Sequence, residues 1–145
     1  MSYFASDEIY AKRLQICEIT ISGSPSNNQY FTLSSSVIDN FDSGATPTGG
    51  GTTSLTFPSG SYMFRAMLDV TRSSNNDNYK FQFEIASTLK GTYGQTALYN
   101  NLKSDIAEAT HKSSSSFIVK LKCIGVENSE PTLTNNSKIY IWRTS

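Results

Sequence analysis

An all-β fold, an antiparallel sandwich or barrel, is the class this sequence predicts, and three observations predict it. Apolar residues recur with a period of two in five separate segments, clusters of Ser, Asn, Gly and Pro punctuate the chain about every ten residues, and almost nothing carries helical spacing. With 145 residues and no internal repeat, the chain is read as one domain over residues 14–145, preceded by an arm over residues 1–13.

In chain order, Phe4 to Leu14 is the one stretch with helical appeal. Phe4, Ile9, Tyr10 and Leu14 form a partial stripe after a cap at Ser6, so a short helix or an arm is expected. Leu14 to Ile21 reads as a strand with Leu14, Ile16, Glu18 and Thr20 on one face and Gln15, Cys17, Ile19 and Ile21 on the other; its two-sided apolar character suits a central place in a sheet or a covered outer face. Gln29 to Leu33 and Thr53 to Phe57 are weaker strands, and Ser43 to Thr53, with Gly44, Gly49, Gly50 and Gly51, is a flexible loop between them. The clearest strand is Ser61 to Thr71. Tyr62, Phe64, Ala66, Leu68 and Val70 share its core face, while Met63, Arg65, Met67 and Asp69 share the reverse.

After a polar turn at Ser73 to Asn78, Tyr79, Phe81, Phe83 and Ile85 alternate with Lys80, Gln82 and Glu84, predicting a second core strand. Tyr93 to Tyr99 and Asp105 to His111 are weaker candidates. Phe117, Val119, Leu121 and Cys123 alternate with Ile118, Lys120, Lys122 and Ile124, and a polar loop containing Pro131 leads to a last strand carrying Ile139 and Ile141 against Tyr140 and Trp142.

Composition excludes several functions. Twelve Lys and Arg balance twelve Asp and Glu, while Ser (23), Thr (15) and Asn (11) make a neutral, hydroxyl-rich surface. The basic excess required by a nucleic-acid groove or an anionic membrane surface is missing, so neither partner is expected. Met1 to Leu14 holds Asp7, Glu8, Lys12 and Arg13 and no apolar run of signal-peptide length, and no segment approaches 18 apolar residues; a soluble chain made in a cytoplasm is the expectation. Cys17 and Cys123 fit no metal spacing and sit among apolar neighbours, which favours buried free thiols over a disulfide.

Catalysis has no recognisable motif here, and no catalytic residue, cofactor or metal is expected. The single histidine, His111, could be oriented by Asp105 or Glu108, but a solvated strand-end side chain is the favoured reading. Asp39 with Asp42, and Glu127 with Glu130, could hold a hard cation, and solvated loop charges are favoured there too. Aromatic residues are more informative. With Ile139 and Ile141 turned inward, Tyr140 and Trp142 would leave a large apolar patch on the reverse face. Contact with another subunit leads the readings, followed by internal cover from the sandwich or the N-terminal arm, then by stacking on a glycan. Met63 and Met67 join these rings as candidate interface residues, and Arg65 between them is either a partner for a carboxylate across an interface or an ordinary surface arginine.

From Leu55 onward the order of features resembles the C1q and tumour-necrosis-factor family of trimeric jelly rolls. The segment Ser54-Leu55-Thr56-Phe57-Pro58-Ser59-Gly60-Ser61-Tyr62-Met63-Phe64 is similar to that family's short strand, Pro-x-Gly turn and aromatic strand. Lys80 to Gly91 corresponds to the next strand and its turn, Phe117 to Ile124 to the penultimate strand, and Ser137 to Arg143 to a closing S-x-I-x-I-x-R strand, especially that of bacteriophage and viral fibre tips. The chain departs from the pattern at Ser113 to Ser116, where a Gly-Asp step is usual, and residues 1–13 carry neither a collagen-like repeat nor a heptad pattern, so a domain without a stalk is expected. The resemblance implies a jelly-roll homotrimer with no enzymatic activity: a virion structural protein, assembled in the host cytoplasm, that decorates or cements a capsid or caps a fibre and binds a capsid or tail protein. A receptor- or carbohydrate-binding fibre-tip adhesin is the alternative, with a glycan as partner, and an enzyme using His111 comes third.

Overall fold

The computed structural model describes residues 15–39, 41, 47–49, 51–71, 78–97, 104–127 and 132–144. The expected N-terminal arm or helix, the expected turn up to Asp77 and the Pro131 loop fall outside them. Eleven antiparallel strands follow in order: β1 Gln15–Ser22, β2 Thr32–Asp39, β3 Thr48–Gly49, β4 Leu55–Phe57, β5 Gly60–Thr71, β6 Asn78–Ile85, β7 Thr88–Ala97, β8 Ser104–Ser113, β9 Phe117–Glu127, β10 Thr132–Leu133 and β11 Lys138–Arg143. Their pairing runs β2-β1-β11-β5-β8-β7-β6-β9-β4-β3, with β10 on the end of β5.

This one ribbon curls into two layers. The first sheet holds β2, β1, β11, β5 and β8, and the second holds β7, β6, β9, β4 and β3. They join where β7 meets β8, at Thr92 opposite Glu108. Gly91 makes the join possible: its φ is +75°, and a Cβ there would lie 1.9 Å from the Glu108 carbonyl oxygen. The alternation read from the sequence closes the layers over a common core. Cys17, Ile19 and Ile21 of β1, the Tyr62-to-Val70 set of β5, Tyr79 to Ile85 of β6, Val119 to Cys123 of β9 and Ile139 and Ile141 of β11 are each no more than 2% exposed. Cys17 and Cys123 are both buried and form no disulfide, as expected.

The Phe57 to Tyr62 corner anchors one end of the core. Phe57 stacks on Phe117 at 5.9 Å and meets Phe64 edge-on at 5.4 Å, and the Tyr62 hydroxyl donates to the Pro58 carbonyl at 2.8 Å. At the other end, Ser137, fully buried, is both acceptor and donor for the Asp69 backbone, and Thr134 donates to the Asp69 carboxylate at 2.6 Å.

Several boundaries differ from expectation. β2 lies over Thr32–Asp39 rather than Gln29 to Leu33, because Tyr30 makes only an isolated bridge to Lys122 before the chain enters the edge strand. β7 begins at Thr88, five residues before the expected start, and the turn placed within Lys80 to Gly91 is only Ala86-Ser87, both in the left-handed region (φ 51° and 65°). Two short strands lie in expected loops: β3 in the glycine-rich loop and β10 after Pro131. Each pairs over two residues only, too few to impose a hydrophobic period.

Candidate functional site

The outer face of the first sheet is assembled by register. Across the strands, Ile16, Trp142, Met63 and Thr110 form one row; Glu18, Tyr140, Arg65 and Glu108 a second; Thr20, Lys138, Met67 and Ile106 a third. All four expected interface residues, Met63, Met67, Tyr140 and Trp142, therefore lie on one surface, which follows from the burial of Ile139, Ile141 and the even-numbered side of β5 on the other. Tyr140 and Trp142 are half-buried, with ring centroids 6.3 Å apart. Ile16, Met63 and Ile106 are each 37% exposed.

Charge on this face is settled within the chain. Arg65 donates from Nε to Glu108 Oε1 at 3.1 Å and lies 5.6 Å above the Trp142 ring, while Lys138 pairs with Glu18. The Glu18 carboxylate bonds Lys138 and holds its ammonium pKa above the ordinary 10.5. Arg65 thus has its carboxylate within the chain, on the neighbouring strand. Ile16, Glu18, Ile106, Glu108 and Lys138 were not singled out from the sequence as parts of this surface; alternation puts each on a face, but only strand pairing makes four strands share one.

His111 corrects the reading of a solvated strand-end side chain. Its ring is half-buried, packs edge-on against Phe117 at 4.5 Å and accepts at Nδ1 from the Lys90 ammonium at 2.8 Å. Burial, then the Lys90 charge, lowers its pKa below the ordinary 6.5. Glu108 cannot orient it, because Glu108 points to the opposite face and is bound to Arg65. The Asp39, Asp42 and Glu130 carboxylates lie outside the described side chains; among those described, no group of His, Cys, Asp and Glu is arranged to hold a metal. No described helix is long and apolar enough to cross a membrane.

A two-layer antiparallel β structure of this strand order has the jelly-roll fold of the tumour-necrosis-factor and C1q kind. Among solved structures the chain is similar to murine APRIL, with a TM-score of 0.59 at 8% identity over 90% of this chain and 99% of that one. The globular domain of zebrafish complement 1qA gives 0.57 at 10% identity, covering 90% and 95%, and rabbit GITRL gives 0.50 at 13%, covering 86% and 91%. At such identities the likeness is one of fold. No family model matches the chain, and no curated protein matches it.

Proposed function

We propose that this chain is a non-enzymatic structural protein that acts as a homotrimer, each subunit burying the outer face of its first sheet against two others. The observation that carries the proposal is the set Ile16, Met63 and Ile106, each 37% exposed, on the same face as Tyr140, Trp142 and Met67. Pairing of Arg65 with Glu108 and Lys138 with Glu18 supports it further, since charges already neutralised cost less to desolvate when a second surface arrives. Mass in solution is the test. Light scattering at several concentrations should give three times the 16.0 kDa subunit, and a strict monomer would remove the reading.

The finer proposal places this trimer on a virion, as a capsid decoration or cement or as a fibre cap, with a capsid or tail protein as its partner. It is supported by the resemblance of Ser137 to Arg143 to the closing strand of phage and viral fibre tips. Binding to assembled particles and not to free glycans is the expected result. The alternative, a carbohydrate-binding tip, has its own support in Tyr93, 53% exposed on the second sheet with the Lys80 ammonium 5.8 Å from its ring centroid. Glycan-array binding lost in Tyr93→Ala would favour it.

A further inference from the structure

Cations and carboxylates are equal in number along the chain, yet among the described residues they are not evenly matched in space. On the outer face of the first sheet Arg65 and Lys138 each have a carboxylate. Where β5 begins and β8 and β11 end, the pattern changes. A cleft of about 390 Å³ is lined there by Ser61, Met63, Lys90, Thr110, His111 and Lys112, with Tyr62 and Thr144 completing the wall. Two lysines line it, and no Asp or Glu does among the described residues. Arg143, paired in register with Tyr62, adds a third cation beside it; its guanidinium donates to the Ser59 carbonyl and stacks over Tyr62, with no carboxylate paired to it among the described residues.

Lys90 shows what the cleft lacks. Its ammonium, which would ordinarily seek a carboxylate, donates instead to the uncharged side of an imidazole at 2.8 Å. With Nδ1 accepting, the ring proton of neutral His111 sits on Nε2, so the imidazole is itself a donor. Lys112 is exposed and has no carboxylate within ion-pair reach among the described residues. The Thr144 hydroxyl donates to the Ser61 carbonyl, and Ser61 and Thr110 add two further hydroxyl-bearing side chains to the lining. A second hollow, lined by Met63, Gly91, Thr92, Glu108, Ala109 and Thr110, continues from the first along Met63 and Thr110 and is largely apolar.

We infer that this cleft is a binding site for an oxyanion group, a carboxylate, sulfate or phosphate, held between Lys90 and Lys112 with Ser61 and Thr110 as hydroxyl donors. The adjoining hollow at Gly91 and Ala109 would take the less polar remainder of a larger ligand. Met63 and Thr110 of the lining also stand in the first row of the sheet face proposed to be buried in the trimer, so the cleft borders that contact.

The test is an NMR titration of the full chain with inorganic phosphate, sodium sulfate and sodium glucuronate in separate arms, following the His111 ring resonances at constant ionic strength. Saturable shifts are expected, with the His111 pKa rising as the anion binds, because a nearby negative charge favours the imidazolium. The half-saturation concentration should increase at least tenfold in Lys112→Gln and in Lys90→Gln. A preference among the three arms identifies the group: glucuronate ahead of both inorganic anions marks an acidic saccharide, and phosphate or sulfate ahead marks the corresponding ester. Non-saturable shifts in all arms, or shifts unchanged in both lysine variants, overturn the inference. Light scattering on the same samples reports the subunit number separately, so a monomer that binds anions would sink the trimer proposal and leave this one standing.

Discussion

An alanine at Gly94 would set its Cβ 2.2 Å from Cζ of Phe81, a residue with no solvent exposure. Gly94→Ala should therefore cost about 1–3 kcal/mol, the usual range for overpacking a core, measured by urea unfolding. His111 sets a different kind of limit. Because burial and then Lys90 lower its pKa in the folded state, the unfolded chain takes up a proton first as pH falls through 6.5. The stability attached to its neutral form is complete above 6.5 and declines below it, until pH has passed the folded-state value. Unfolding at pH 7.5, 6.5 and 5.5 should show a steeper loss for the protein than for His111→Gln, and equal slopes would contradict this. Sequence could not reveal the contact, since Lys90 lies 21 positions away and belongs to a different sheet.

Among the elements, the β6–β7 hairpin turns on two residues that both carry a side chain in the left-handed region. Glycine takes that conformation freely, so Ser87→Gly should stabilise the protein by up to about 1 kcal/mol, seen as a higher urea midpoint with unchanged slope. Gly91→Ala should do the reverse. Its Cβ would strike the Glu108 carbonyl, and loss of the β7–β8 join should appear as faster amide exchange in β7 ahead of global unfolding. The long, fully alternating strands β5, β6, β9 and β11 were legible because each buries one whole side, and burial is what writes a period of two into a sequence. β7 was legible only in part. It passes from one sheet to the other, with Gly91 and Gly94 replacing the side chains that would have marked its faces, and Leu89 and Tyr93 remain exposed. β2 was displaced for a related reason: Ser34, Ser35 and Ser36 leave its middle without an apolar signal.

For the whole molecule, the reverse-face residues could be read from the sequence as a set, because knowing that Ile139 and Ile141 face inward fixes where Tyr140 and Trp142 go. The company they keep could not, since Ile16, Met63 and Ile106 come from three strands separated by long stretches of chain. If trimerisation uses this face, Trp142→Ser should shift the scattering mass toward one subunit while the far-UV spectrum and the His111 resonances stay as they were. A variant that still sediments as a trimer would move the contact elsewhere.

The strand order of the first sheet also constrains how the chain can be made. β11, the last strand, lies between β1 and β5, and β1 is an early one. Until residues 138–143 have left the ribosome, both neighbours lack the partner between them and their core-facing sides lack Ile139 and Ile141. This sheet must wait for residues 138–143, exposed to chaperones and proteases until they arrive, and deleting that segment should yield an insoluble product rather than a smaller domain.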